Sequence, residues 1–91
     1  METLALTPAQ LGMALRNARK AVRLSQKSAG AKVGMKQSTV SVMETDCART
    51  SVESLYKLLS ALDLELVIRS RPNNDGVQEP VEGKSRAPVE W

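Results

Sequence analysis

The stretch that most constrains how this chain can fold is Ser25–Glu44, SQKSAGAKVGMKQSTVSVME. Ser25 is a good helix N-cap, its hydroxyl able to accept from the otherwise unpaired N–H groups of a first turn. Ala29 and Val33 follow as an apolar i,i+4 pair, and Gly34 is the residue a left-handed C-cap requires. A second short helix is predicted to begin near Lys36 or Gln37. It carries Val40 and Met43 at i,i+3 spacing, which leaves Lys36, Gln37, Ser38 and Ser41 facing outward. Gly30 lies inside the first of these helices at a cost of about 1 kcal/mol against Ala, so close contact between the two helices is expected there.

Two short helices joined by a tight glycine turn, the second polar at its start, form a helix-turn-helix unit. In such a unit the N-terminal end of the second helix meets base edges in the major groove. The surrounding chain supplies the support. Thr7 can cap a first helix, Pro8 suits its first position, and Gln10 completes a Thr-x-x-Gln capping box. Leu11, Leu15, Ala18 and Val22 make that helix's apolar stripe, and Arg19 sits on its edge, where a guanidinium needs a partner. After a polar loop over 45–49, a fourth helix opens at Thr50 or Ser51, with Thr50 and Glu53 at capping-box spacing. Val52, Leu55, Leu59 and Leu62 form its predicted buried stripe, flanked by Tyr56 and Leu58, and it is expected to end near Asp63.

Beyond Asp63 the period changes. Leu64, Leu66 and Ile68 alternate with Glu65, Val67 and Arg69, a strand pattern with no second strand to match it. An unpaired strand recruits another chain, most simply the same strand of a second copy across a two-fold axis. The expected architecture is thus all-α: four to five helices, then one short β-strand that pairs across a homodimer, then a disordered tail. The divisions are a helix-turn-helix DNA-binding domain over 7–63, a dimerisation strand over 64–70 and a flexible tail over 71–91. The tail, with three prolines and two glycines, has too little apolar content to build a core.

Composition narrows the function classes. The chain has 91 residues, no His and one Cys. No thiolate–imidazole pair or usual zinc set can be assembled, and no glycine-rich phosphate loop is present. An enzyme is therefore not expected, nor a cofactor or metal. Residues 1–70 hold ten Lys/Arg against six Asp/Glu, while residues 71–91 hold three against four. A basic body fits contact with a polyanion, though a solvated basic surface is an equal reading of charge alone. The single Cys47 fits a reducing compartment, and no apolar run is long enough to span a bilayer, so a soluble cytoplasmic protein is expected. With no Phe, one Tyr and one Trp, the core must come from Leu, Val, Ala and Met, and a domain this small gains from oligomerising.

The pattern of Gln26, Ala29, Gly30, Gly34, Val40 and Glu44 resembles the Cro/C1-type helix-turn-helix family over residues 8–62. TPAQL at 7–11, KQSTVS at 36–41, LLSALDLEL at 58–66 and a loose tail ending in Glu90 and Trp91 further resemble the HipB-type antitoxins. That resemblance implies a bacterial, nucleoid-associated homodimer that binds palindromic operators to repress its own toxin–antitoxin operon. It also implies a protein partner, a HipA-type Ser/Thr kinase toxin that the antitoxin binds and neutralises. A stand-alone repressor of the same fold, with no toxin partner, is the alternative.

Carried onto this chain, the resemblance places Lys36, Gln37, Ser38 and Ser41 where bases are read. Lys can donate to guanine, Gln can bond adenine bidentately, and Ser can bond either. Gln26, Lys27, Thr39 and Arg49 are the phosphate candidates; for Lys27 and Arg49 a plain solvated charge is the readier reading. Val42 is able only to touch a thymine methyl or to pack internally. Arg19 and Glu44 match a structural pair that bridges the first and third helices, a direct phosphate contact by Arg19 being the alternative. Leu64, Leu66 and Ile68 are the dimerisation residues. Trp91 is a toxin-binding candidate, with a degradation signal and a plain exposed terminus as the other readings.

Overall fold

The computed structural model describes residues 2–71, and the tail from residue 72 onward, including Trp91 and the disorder expected of it, lies outside the described residues. Four α-helices follow one another: α1 (Pro8–Ala21), α2 (Gln26–Ala31), α3 (Gln37–Thr45) and α4 (Val52–Ala61). A 3₁₀ turn over Cys47–Arg49 links α3 to α4. Helix α3 packs chiefly against α1 and α2, so the second helix of the motif is held from two sides.

The helix starts follow the local chemistry. The Thr7 hydroxyl accepts from the Gln10 N–H at 3.1 Å. The Gln10 side chain reaches back one residue further than a capping box requires and accepts from the Leu6 N–H at 2.6 Å. Ser25 caps α2 by accepting from the Ser28 N–H. For α4 the cap is Ser51, which accepts from the Ser54 N–H, while the Thr50 hydroxyl donates to the Cys47 carbonyl. The Thr50–Glu53 box is therefore not used, because Thr50 is engaged in closing the 3₁₀ turn.

The helix ends share one device. Backbone N–H groups of Leu24, Met35 and Leu64 donate to the carbonyls of Arg19, Gly30 and Leu59, five residues earlier. Each bond spans a residue in the left-handed region: Arg23 at φ 62°, Gly34 at 69° and Asp63 at 61°. These are Schellman closures, and they turn the chain sharply back onto the bundle.

The core gathers Leu15, Ala29, Val40, Met43, Cys47, Leu58, Leu59 and Leu62, with Leu11, Leu24, Met35, Leu55 and Leu64 packed around it. Cys47, expected in a polar loop, is buried because the 3₁₀ turn folds inward. Two predicted stripe residues are instead exposed. Val22 lies past the last helical residue of α1, where the turn begins. Val52 is 67% exposed at the first position of α4, and its buried place is taken by Leu58. The apolar arc of α4 is wider than the face its neighbours can cover, and packing selects the part containing Leu55, Leu58, Leu59 and Leu62.

No strand forms among the described residues. Leu64–Ser70 leaves the end of α4 in irregular backbone, because a strand exists only as part of a ladder and the single chain offers no partner. The predicted dimerisation set is also divided: Leu64 packs against the core of its own chain, whereas Leu66 and Ile68 are exposed.

Candidate nucleic-acid interface

Helix α3 begins at Gln37 after Lys36, which provides no side-chain cap. The N–H groups of Thr39 and Val40 both turn to the Lys36 carbonyl, at 3.0 and 3.2 Å. The first turn thus keeps a partly open set of donors, the arrangement a helix N-terminus offers to an anion. Lys36, Gln37 and Ser38 are exposed around this end, and Ser41 and Thr39 are half-buried beside it. Val42 is turned outward, which leaves it the surface role and not the internal one. Thr45, on the same side one turn beyond Ser41, donates its hydroxyl to the Ser41 carbonyl at 2.9 Å.

The opposite side of α3 is clamped. Val40 and Met43 are fully buried, and Glu44 beside them is 6% exposed. The Glu44 carboxylate accepts from Arg19 Nε at 2.6 Å and from Arg19 Nη2 at 3.1 Å, a bidentate pair between α3 and α1. Arg19 Nη1 donates to the Leu24 carbonyl at 2.8 Å, tying the same guanidinium to the turn before α2. Arg19, 8% exposed, directs its donors inward, so the geometry does not offer it to a phosphate.

Burial pushes the Glu44 carboxyl up. Hydrogen bonds from Arg19 and Gln26, with the charges of Arg19 and Arg16, outweigh that effect and hold it below its ordinary range. The hydrogen bond to Glu44 likewise holds the Arg19 guanidinium above its ordinary value despite its burial.

This buried pair reaches the surface through two glutamines. Gln26 Nε2 donates to Glu44 Oε1 at 3.1 Å, and Gln37 Nε2 makes a long hydrogen bond of 3.4 Å to Gln26 Oε1. The Gln26 side chain, predicted to face a phosphate, is therefore half-buried and turned across the motif. Its contribution at the surface is to orient Gln37. Lys27 and Arg49 are exposed, Arg49 within 3.8 Å of Asp46.

Two features, Gly12 and Arg16, carry this geometry without having been singled out in the sequence. Gly12 lets α1 approach α3: a Cβ there would lie 2.7 Å from the Glu44 carbonyl oxygen and 2.9 Å from that of Met43. A lone glycine in a helical run gives no sign of which element it meets. Gly30 is similar, since its Cβ would collide with the Met35 carbonyl oxygen and press on Val40 Cγ2 at 3.2 Å. The expected close contact is thus partly with the turn and partly with α3. Arg16 is near enough to influence Glu44, a proximity that only the α1–α3 packing creates. Among the described residues no group of three or more His, Cys, Asp or Glu side chains could hold a metal, and no helix is long and apolar enough to cross a membrane.

The sequence pattern of the helix-turn-helix family matches residues 15–68. No curated protein sequence matches the chain significantly. Solved structures similar to it include a HipB complex with an O2 20mer, at 25% identity and a TM-score of 0.75, covering 79% of this chain and 100% of that one. The HipA–HipB–O2–O3 complex is similar at 25% identity and a TM-score of 0.74, covering 78% and 100%. A HipB–O1–O2 complex follows at 26% identity and a TM-score of 0.71, covering 77% and 100%. The four helices, the clamped third helix and this similarity over the whole length of HipB lead to one conclusion: the chain belongs to the helix-turn-helix family and has the HipB-like form of its fold.

Proposed function

We propose that this protein is a sequence-specific DNA-binding antitoxin. In this reading it acts as a homodimer on palindromic operators, represses its own toxin–antitoxin operon and neutralises a HipA-type kinase toxin by binding it. The observation that carries the reading is α3 itself: a helix fixed from behind by a buried ion pair, with an uncapped, exposed N-terminus bearing Lys36, Gln37 and Ser38. Support comes from the similarity to HipB in complexes with O2 and with HipA.

In this mechanism Lys36, Gln37, Ser38 and Ser41 enter the major groove and meet base edges. Gln37 is the leading reader, because Gln26 engages one of its donors and leaves the rest of the amide for a base. The α2 N-terminus, through the backbone N–H of Gln26 and the side chain of Lys27, and the start of α3 with Thr39 lie toward phosphates, with Arg49 as an outer contact. Two copies place their α3 helices about one DNA turn, or a multiple, apart. The tail, through Trp91, contributes a contact to the toxin.

The decisive experiment has two arms. Fluorescence anisotropy with the DNA upstream of the gene is expected to give binding tighter than to scrambled DNA, with log K falling linearly with log salt. Native mass spectrometry of the tagged protein from its own host is expected to retain a kinase-sized partner, and to lose part of it when Trp91 is removed. DNA binding with no such partner would reduce the function to a stand-alone repressor. Equal affinity for all DNA would reject the sequence-specific reading.

A further inference from the structure

Charge is divided unevenly along this fold. Residues 3–43, which hold α1, α2 and most of α3, contain seven Lys/Arg and no Asp or Glu. Glu44 is the first acid after Glu2, and Arg19 neutralises it inside the protein. The cations that remain are Arg16, Lys20, Arg23, Lys27, Lys32 and Lys36. All are exposed, and none is in a salt bridge among the described residues. Glu53, Asp63 and Glu65 all lie on α4 or beyond it, so the positive surface of α1 to α3 is left uncompensated.

Two of these cations have no part in the motif's second or third helix, yet stand beside α3. Arg16 follows by one turn the point where Gly12 meets the Met43 and Glu44 carbonyls. Its charge acts on the Glu44 carboxylate. Glu44 comes seven residues after Gln37 and three after Ser41, which puts all three on one edge of α3. Arg16 is therefore an exposed cation next to that edge. Arg23 lies in the turn before α2, next to Leu24, whose carbonyl accepts from Arg19 Nη1. Its backbone is left-handed at φ 62°, a conformation that glycine adopts without penalty and a residue with a Cβ does not. The Arg23 side chain gives no salt bridge in return among the described residues. A strained position that keeps a long cation is one where function competes with stability.

We propose that α1 and the turn after it form a second DNA-contacting element, with Arg16 and Arg23 on backbone phosphates beside the bases that α3 meets. The proposal rests on the DNA-binding reading above and adds phosphate contacts that Lys36, Gln37, Ser38 and Ser41 do not make. A guanidinium matches a phosphate with two parallel hydrogen bonds. Contacts of this kind fix the protein's position on the duplex and carry no sequence information.

Fluorescence anisotropy of the full-length chain on the duplex from upstream of the gene, over a range of salt, tests both contacts. Arg16→Gln is expected to weaken binding at least about tenfold at 0.1 M salt and equally across single-base variants of the duplex. The slope of log K against log salt should fall by about two, one phosphate for each copy of the dimer. Arg16→Lys keeps the charge, and most of the slope should return. Arg23→Gly is expected to lower affinity and slope in the same way while raising the melting temperature, because side chain and backbone cost are removed together. Lys57→Gln removes one exposed charge from α4 and is expected to change neither slope nor affinity. Unchanged slopes in Arg16→Gln and Arg23→Gly, or losses no larger than that of Lys57→Gln, would overturn the contacts in favour of a general field. A loss confined to one base pair would overturn the phosphate role of Arg16, and a lower melting temperature in Arg23→Gly would make that side chain structural. A parent chain whose affinity is independent of salt would instead remove the DNA-binding reading itself.

Discussion

Replacing Glu44 by Gln removes the anion that faces a guanidinium almost wholly withdrawn from water. The cost of stranding such a charge is about 3 kcal/mol, large against the total stability of a domain this small. Urea denaturation at neutral pH is expected to show it. The same carboxyl gives the protein an acid limit. Its native value lies below the ordinary one, so its contribution is complete above about pH 4.5 and is lost as the pH falls through the lowered native value. The urea midpoint of the parent should fall steeply across that window, and that of the Gln variant less so. Gly12→Ala acts on the same contact sterically. Its new methyl meets two backbone carbonyls of α3, which cannot yield as a flexible side chain would, and a loss of about 1–3 kcal/mol in thermal melts is expected. Asp63→Gly works in the opposite sense. A left-handed residue after α4 is cheaper as glycine, and a gain of about 0.5 kcal/mol should appear as a higher melting temperature.

At the scale of the element, α3 is a short helix with no cap of its own, and its rigidity comes from what grips its inner side. A chain of hydrogen bonds from Arg19 through Glu44 and Gln26 to Gln37 makes the Gln37 side chain, the base reader we propose, part of that grip. Gln37→Ala is expected to cost about 1–3 kcal/mol at one base position and to relax specificity there. Binding to a panel of single-base operator variants measures it, and a uniform loss across the panel would remove Gln37 from the readers. Much of this element was legible in the sequence. Ser25, Gly34, Val40 and Met43 announce a helix, a left-handed turn and a second helix through their own chemistry and spacing. The inward turn of Gln26 was not legible, because a glutamine at a helix start suits a phosphate and a side-chain neighbour equally well. The face of α4 was ambiguous for a different reason: its apolar residues span more arc than one packed side requires, and only neighbours choose among them.

For the whole molecule, truncation after Leu64 tests whether the remaining chain carries the association. The four helices and the core contact of Leu64 are kept, so the fold should persist while sedimentation equilibrium reports a monomer and operator affinity drops. An unchanged mass would place the dimer contacts elsewhere. The sequence by itself determined the helix starts capped by Thr7 and Ser25 and the left-handed position at Gly34, since these depend on residues within a few positions of one another. The tertiary structure alone decided that Gly12 and Arg16 stand against Glu44, that Cys47 is buried, that Val52 is exposed, and that Leu64 belongs to the core while Leu66 and Ile68 do not. Each of these depends on which surface another element presents, and that is set by packing between residues distant in the chain, not by local propensity.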